Sequence, residues 1–391
     1  MFWISSRKWS LPINVVTFNL CKLIPKRNPK IWVFGGVEGR KYDDNSRFLF
    51  EYVCRRYGDF IHAVWIAKEK SVVNAVRQMG YDAYTPYCIK GVYYALRAGV
   101  AIYSHALIDF GLFPLVGGSY IVSLWHGMGF KEIYNAKYDG WSLKTKIFID
   151  KLFSWTYRDM TTVTSVYTKI QFQRLFNLGL DGIFITGQPR NDVFKRELKK
   201  NDVLREVCDS KKWIIYMPTY RGKAMGEDAM SNIIYELYND ETLNKILSDN
   251  DSIFIVKLHP LTPHVSLKNR DNFVLLDYKA VSNNQELLAV SDILITDFSS
   301  CFVDFALMDK PIHFYCPDEE RFLEQSEKMN DDYFKLSSLS KSNTLSGLAT
   351  FLQNPTNIVC DATNEIFEDE SIRGTCYSEN VYQVICKEIG K

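Results

Sequence analysis

The chain has 391 residues, enough for two domains that each bury a core of their own. With 47% hydrophobic residues, 24% charged residues and a formal charge of +1, it is not a disordered chain and lacks the basic excess of a nucleic-acid binder. Nine cysteines, an odd count without any CxxC pair, support neither a disulfide framework nor a zinc site, and fit a reducing compartment.

The chain opens MFWISSRKWSLPINVVTFNLCKLIPKRNPK. Leu11–Ile24 is mainly apolar but is broken by Pro12, Asn14, Asn19 and Lys22, so it is too short and too polar to span a bilayer. No small-residue cleavage site follows, and no signal peptide is expected. Trp3 and Trp9 beside Arg7 and Lys8, then Lys22, Lys26, Arg27 and Lys30, give residues 1–29 a basic amphipathic pattern suited to an anionic membrane surface. An ordinary packed first helix fits the same residues. Trp141–Arg158, WSLKTKIFIDKLFSWTYR, repeats the pattern with Lys144, Lys146 and Lys151.

From Lys30 onward strand and helix signals alternate. Ile31–Phe34, Ala63–Ile66, Val100–Tyr103, Tyr120–Leu124, Thr161–Thr164 and Gly182–Ile185 read as short buried strands, with helices such as Arg47–Arg56 and Lys90–Arg97 between them. This predicts a first α/β domain over 30–193. The charged stretch 194–212 reads as a linker. A second α/β domain, 213–391, follows with strands Trp213–Met217, Ile253–Lys257, Phe273–Leu276, Ile293–Thr296 and Ile312–Tyr315. Two doubly wound, Rossmann-like domains facing each other across a cleft is the architecture expected, with ligands beyond the carboxyl ends of the strands.

Polar motifs fall at those ends. Tyr120–Leu124 runs into Trp125-His126-Gly127, and Gly182–Ile185 into Thr186-Gly187-Gln188-Pro189-Arg190-Asn191-Asp192. Trp213–Met217 runs into Pro218-Thr219-Tyr220-Arg221, Ile253–Lys257 into Leu258-His259-Pro260, and Ile293–Thr296 into Asp297-Phe298-Ser299-Ser300 before a helix at Phe302–Leu307. A turn between a parallel strand and a helix offers backbone N–H groups to a phosphate, and the two serines add hydroxyls. Asp297 and Ser299 also suit a helix cap. Taken together, five strand ends that collect His, Arg, His, Asp and Ser point to a site rather than to packing.

These same residues carry a family likeness. WHG, G-x-PRND, PTYR, KLHP, the opening FGGVEGRKYDDNSRFLFEYV and above all SDILITDFSSCFVDFALMDKPIHFY resemble the CDP-glycerol:poly(glycerophosphate) glycerophosphotransferases of teichoic-acid and capsule synthesis. The likeness runs from about residue 30 to about residue 315. It departs at Gln188, where a tyrosine is more usual, and in DDYFKLSSLSKSNTLSG, which lacks the usual Pro-Gly-Pro turn. The resemblance implies a GT-B type fold. It also implies transfer of a polyol phosphate, glycerol phosphate foremost, from a CDP-activated donor to a hydroxyl of a lipid-linked or polymer acceptor, with release of CMP.

Under that resemblance His126 is the candidate base for the attacking alcohol, with Gly127 allowing close acceptor approach. His259, Arg221, Thr219, Pro260, Asp297, Ser299 and Ser300 are the candidates for binding the donor and the charge on leaving CMP. Arg190 contacts phosphate or braces the domain junction, with Asn191 and Asp192 structural. His105 is a lesser candidate for acceptor contact, and His62, His264 and His313 are set aside by position. Asp249-Asn250-Asp251 has the D-x-D spacing of metal-dependent glycosyltransferases but precedes its strand, so no metal or cofactor is expected. The expected location is peripheral, on the cytoplasmic face of the membrane, with no nucleic-acid partner. KLHP and DFSS also match the His-Pro and Ser-Ser pairs of bacterial polysialyltransferases, so a CMP-sugar glycosyltransferase is the alternative. A catalytically silent binding protein is the third reading, disfavoured by retention of both histidines.

Overall fold

A computed structural model describes residues 11–390 except 26, 129, 133–139, 154–157, 206, 223–224, 227, 260, 264, 277–282 and 326–327. Pro260, His264 and the tryptophans at 3 and 9 therefore lie outside the described residues. Two compact units emerge. Among the described residues the first comprises 11–126, 140–192 and 368–390, and the second 127–132 and 193–367.

The first unit is built on seven parallel strands: β1 Asn28–Gly35, β2 His62–Ile66, β3 Ala83–Tyr84, β4 Ala98–Tyr103, β5 Tyr120–Ser123, β6 Met160–Val163 and β7 Ile183–Ile185. Their order is β3-β2-β1-β4-β5-β6-β7. Alternation along β1 supplies both faces. Trp32 and Phe34 pack under Leu49, Phe50 and Val53 of helix Asp44–Tyr57, whereas Ile31 and Val33 pack with Phe18 of helix Leu11–Cys21 and Ala95 of helix Ile89–Arg97. Helix Leu11–Cys21 is thus part of this core through Phe18.

The second unit has six parallel strands, β8 Lys212–Met217, β9 Ser252–Lys257, β10 Phe273–Leu276, β11 Ile293–Thr296, β12 Ile312–Tyr315 and β13 Lys341–Ser342, in the order β10-β9-β8-β11-β12-β13. Ile214, Phe254, Val256, Ile293 and Ile295 face Met230, Ile234, Leu243, Leu247 and Leu352 of its helices. An aromatic cluster also packs within this unit. There Phe130, from the segment after the WHG motif, lies against Phe302 with ring centroids 5.1 Å apart.

The fold is of the expected GT-B class, but two boundaries need correction. Residues 194–212 are not a free linker: Leu204 and Val207 are buried, and Lys200 Nζ reaches Asp292 at 2.7 Å within the second unit. The carboxyl-terminal segment does not continue the second domain to 391. Helix Tyr377–Ile389 lays Val381 and Ile385 into the core of the first unit, and Tyr382 stacks on Tyr57 at 3.7 Å. Asp192 of the PRND motif accepts the Tyr377 and Ser378 N–H groups at 2.7 and 2.9 Å, capping that helix. Gly187, at φ +76°, lets the Tyr377 ring pass where any Cβ would clash.

Candidate active site

In the first unit the chain turns sharply after β5. Trp125 has φ +55°, a left-handed conformation unusual for so bulky a residue, and Gly127 has φ +137°. The corner is held by its own carbonyls. Asn45 Nδ2 donates to the Trp125 oxygen at 2.9 Å, and Arg190 Nη1 donates to the His126 oxygen at 3.0 Å. Asn45 Oδ1 in turn accepts the Arg190 N–H at 3.1 Å, and Arg190 pairs with Asp44 at 3.1 Å. Asp44 is itself at φ +66°. Left-handed strain of this kind costs roughly 1–3 kcal/mol per residue and persists only where the surroundings enforce it.

The His126 ring has a defined proton. Its Nδ1 lies 3.1 Å from the Ser104 carbonyl, which only accepts, so Nδ1 carries the hydrogen and Nε2 presents a lone pair. The Ser104 turn is fixed by buried Asp109, whose carboxylate accepts the N–H groups of Glu38, Ser104 and His105 at 2.7, 3.2 and 3.0 Å. Burial pushes the His126 pKa below that of an ordinary imidazole, against the opposing pull of the Asp44 carboxylate. Burial raises Asp44 too, but Arg190, with His105 and His126, overcomes it and holds the carboxyl below its usual range. The result is a neutral base beside a fixed negative charge.

In the second unit the turns after β8, β9 and β11 are neighbours, because β8 pairs with both β9 and β11. Asp297 Oδ1 accepts the Thr219 N–H at 2.8 Å, tying the PTYR turn to the DFSS turn. Arg221 is buried, with its Nη1 2.6 Å from Asp297 and its Nε and Nη2 bidentate to Asp318 at 2.7 and 2.9 Å. It also covers the stacked rings of Phe298 and Phe322. Burial alone would lower the Arg221 pKa; Asp297 and Asp318 outweigh it and raise the value. Arg221 and Asp297 therefore brace the PTYR and DFSS turns against each other. Asp297 does not cap the following helix, Cys301–Ala306, whose cap position is Ser300.

Around these braces lies a small polar set. Ser299 and Ser300 are half-buried, and the Thr219 hydroxyl is buried with no hydrogen-bond partner among the described residues. His259 is exposed and lies alongside Tyr220, ring centroids 5.7 Å apart. Its Nδ1 accepts the Leu261 N–H at 3.2 Å, so in the neutral ring Nε2 carries the hydrogen. The two histidines thus hold opposite tautomers, one an acceptor at Nε2 and the other a donor.

A family model for CDP-glycerol:poly(glycerophosphate) glycerophosphotransferase matches residues 16–355. The chain belongs to this family. It is 27% identical over 334 residues to a teichoic acid glycerol-phosphate transferase of Staphylococcus aureus, covering 82% of each chain. It is 25% identical over 343 residues to a teichoic acid poly(glycerol phosphate) polymerase of Bacillus spizizenii, covering 83% of this chain and 82% of the other. Among solved structures, the wall teichoic acid polymerase TagF in its H548A form superposes with a TM-score of 0.73 at 22% identity, covering 98% of each chain. A second TagF structure, H444N soaked with CDPG, gives a TM-score of 0.72 at 21% identity.

Every site residue of this family member that sequence reasoning selected lies within the matched span. Asp44, Asn45, Ser104 and Asp109 were missed. Asp43-Asp44-Asn45 reads from sequence as a helix start, and only the left-handed Asp44 backbone and the distant Arg190 reveal its second task. His62 is exposed and bonded to Asp82, and His313 is buried between Ser340 and Ser342. Among the described residues no group of three His, Cys, Asp or Glu side chains is arranged to hold a metal.

Proposed function

We propose that the protein transfers glycerol phosphate, or a closely related polyol phosphate, from its CDP-activated form to a hydroxyl of a lipid-linked teichoic-acid acceptor, releasing CMP. The observation that carries this reading is the Nε2 lone pair of His126, fixed by the Ser104 carbonyl in a site that keeps the ring neutral. Nε2 removes the proton as the acceptor oxygen attacks the distal phosphorus, and the Asp44 carboxylate stabilises the imidazolium that forms. Charge develops on the leaving phosphate. His259 Nε2–H, the Thr219 hydroxyl and the Ser299 and Ser300 hydroxyls are the donors for it.

The test is CMP release from CDP-glycerol, CDP-ribitol and CMP-sialic acid, with calorimetric titration of each nucleotide. A CDP-polyol is expected to be the substrate. His126→Ala should lose about 10²–10⁴-fold in kcat while still binding the donor, the range typical of a general base. Because burial depresses the His126 pKa, the acid limb of kcat/KM should fall below pH 6.5. Turnover of CMP-sialic acid instead, or full activity in His126→Ala, would overturn the reading.

Attachment to the cytoplasmic face of the membrane belongs to the same proposal. Ile13, Val16, Leu20 and Leu23 are exposed along and just beyond helix Leu11–Cys21, beside Lys22. That helix touches helix Gly140–Phe153, where Trp141 and Phe148 are exposed near Lys144 and Lys146. Apolar residues interleaved with lysine suit an anionic lipid surface. Among the described residues no helix is long and apolar enough to cross a membrane. Flotation with phosphatidylglycerol vesicles should succeed for the parent protein and weaken several-fold in Leu20→Glu/Trp141→Ala. Equal flotation of both would remove this face from consideration.

A further inference from the structure

The first unit sets a second imidazole against the base, and the transfer step above does not use it. His105 follows β4 and His126 follows β5. The two strands are parallel neighbours, with Tyr103 opposite Ser123. The two rings lie almost flat on one another, 10° from parallel with centroids 4.2 Å apart. Trp125 gives His126 another ring at 4.2 Å, inclined by 30°.

His105 is not placed there by hydrogen bonds of its own ring. Its Nδ1 is buried and has no hydrogen-bond partner among the described residues, an unfavourable state for a polar atom. What fixes it is backbone: the His105 N–H is bound to Asp109, and the adjacent Ser104 carbonyl holds His126. One short turn therefore sets the tilt of the base by a hydrogen bond and its plane by a ring.

We propose that His105 is a positioning residue whose ring fixes the plane of the His126 imidazole and keeps water from its face. This rests on the transferase reading, in which His126 is the base. The charged groups facing the pair are Asp44 at the start of its helix, Arg190 from the loop after β7 and Arg158 ahead of β6. Burial and the neighbouring His126 push the His105 pKa down to about 4. His105 thus stays neutral while His126 gains and loses its proton.

The experiment uses the full chain with ¹⁵N-labelled histidine. Only six histidines are present, so single variants assign the ring signals. His126 is titrated in the parent, His105→Phe and His105→Ala proteins, alongside steady-state transfer from CDP-glycerol to a glycerol-phosphate-primed lipid acceptor. His105→Ala should let water onto His126, raise its pKa by about one pH unit and carry the acid limb of kcat upward with it. Its kcat should fall about tenfold with KM nearly unchanged, in the lower range for losing one positioning contact. His105→Phe, which restores a ring without nitrogens, should recover most of that loss and return the His126 titration to that of the parent. Identical His126 titrations in the parent and His105→Ala would overturn the inference, as would a His105→Phe protein as impaired as His105→Ala. A parent protein that transfers nothing would defeat the transferase reading, while the ring titrations would still decide the pairing.

Discussion

The Arg221 guanidinium is closed between Asp297 and Asp318, so its removal strands two carboxylates in the second unit. Breaking a buried pair from one side typically costs 3–5 kcal/mol. Arg221→Ala should therefore lower the unfolding free energy by an amount in that range, read as a lower midpoint of chemical denaturation. Arg221→Lys keeps the charge but not the bidentate geometry, so it should be less destabilised yet still bind CDP-glycerol more weakly, because the PTYR and DFSS turns shift. Calorimetry beside a urea melt separates the two effects. A stable Arg221→Ala protein with only a donor-binding defect would instead indicate direct contact with the donor.

At the scale of elements, β12 and β13 meet through His313, whose Nδ1 and Nε2 lie 2.9 and 2.8 Å from the Ser340 and Ser342 hydroxyls. Burial depresses its pKa to about 4 in the folded protein, below the ordinary value of about 6.5 expected unfolded. The fold therefore favours the neutral ring. That contribution is complete above pH 6.5 and fades as pH falls towards 4, an effect of about 3 kcal/mol at most. Thermal melts of the parent and His313→Gln should accordingly differ most at pH 7 and converge near pH 4.5. A gap that stays constant with pH would mean that the imidazole charge is not involved.

The elements also show what the amino-acid order makes legible. Ile293–Thr296 and Ile312–Tyr315 were readable to the residue, because a buried parallel strand is a short unbroken apolar run between turn residues. Ala83–Tyr84 and Lys341–Ser342 were not, since two residues at a sheet edge carry no period. The histidines at the strand ends could be selected by type and position. Their supports could not: Asp44 and Arg190 are far apart in the chain, and Asp109 lies within LIDF, which reads as loop.

At the scale of the whole molecule, residues 368–390 belong to the first unit although they come last in the chain. Ending the protein at Phe367 would remove Val381 and Ile385 from a core, and expose Trp32, whose ring lies 5.5 Å from Tyr382. The truncated protein should lose the first unit to proteolysis while the second stays resistant, and transfer should be abolished. Asp192→Asn, which only weakens the cap on helix Tyr377–Ile389, should cost about 1–2 kcal/mol and leave the protein active. Limited trypsin digestion followed by mass measurement distinguishes these outcomes.

The same arrangement bears on the order of events during synthesis. By the time Asp192 leaves the ribosome, every strand of the first sheet has been made, yet that sheet still lacks one of its covering helices. At ~5–20 residues per second the missing helix arrives roughly 10–40 s later. The second unit, finished at Phe367, is thus the first to be complete. The nascent chain holds Trp32, Leu49 and Val53 beside an open flank throughout that delay.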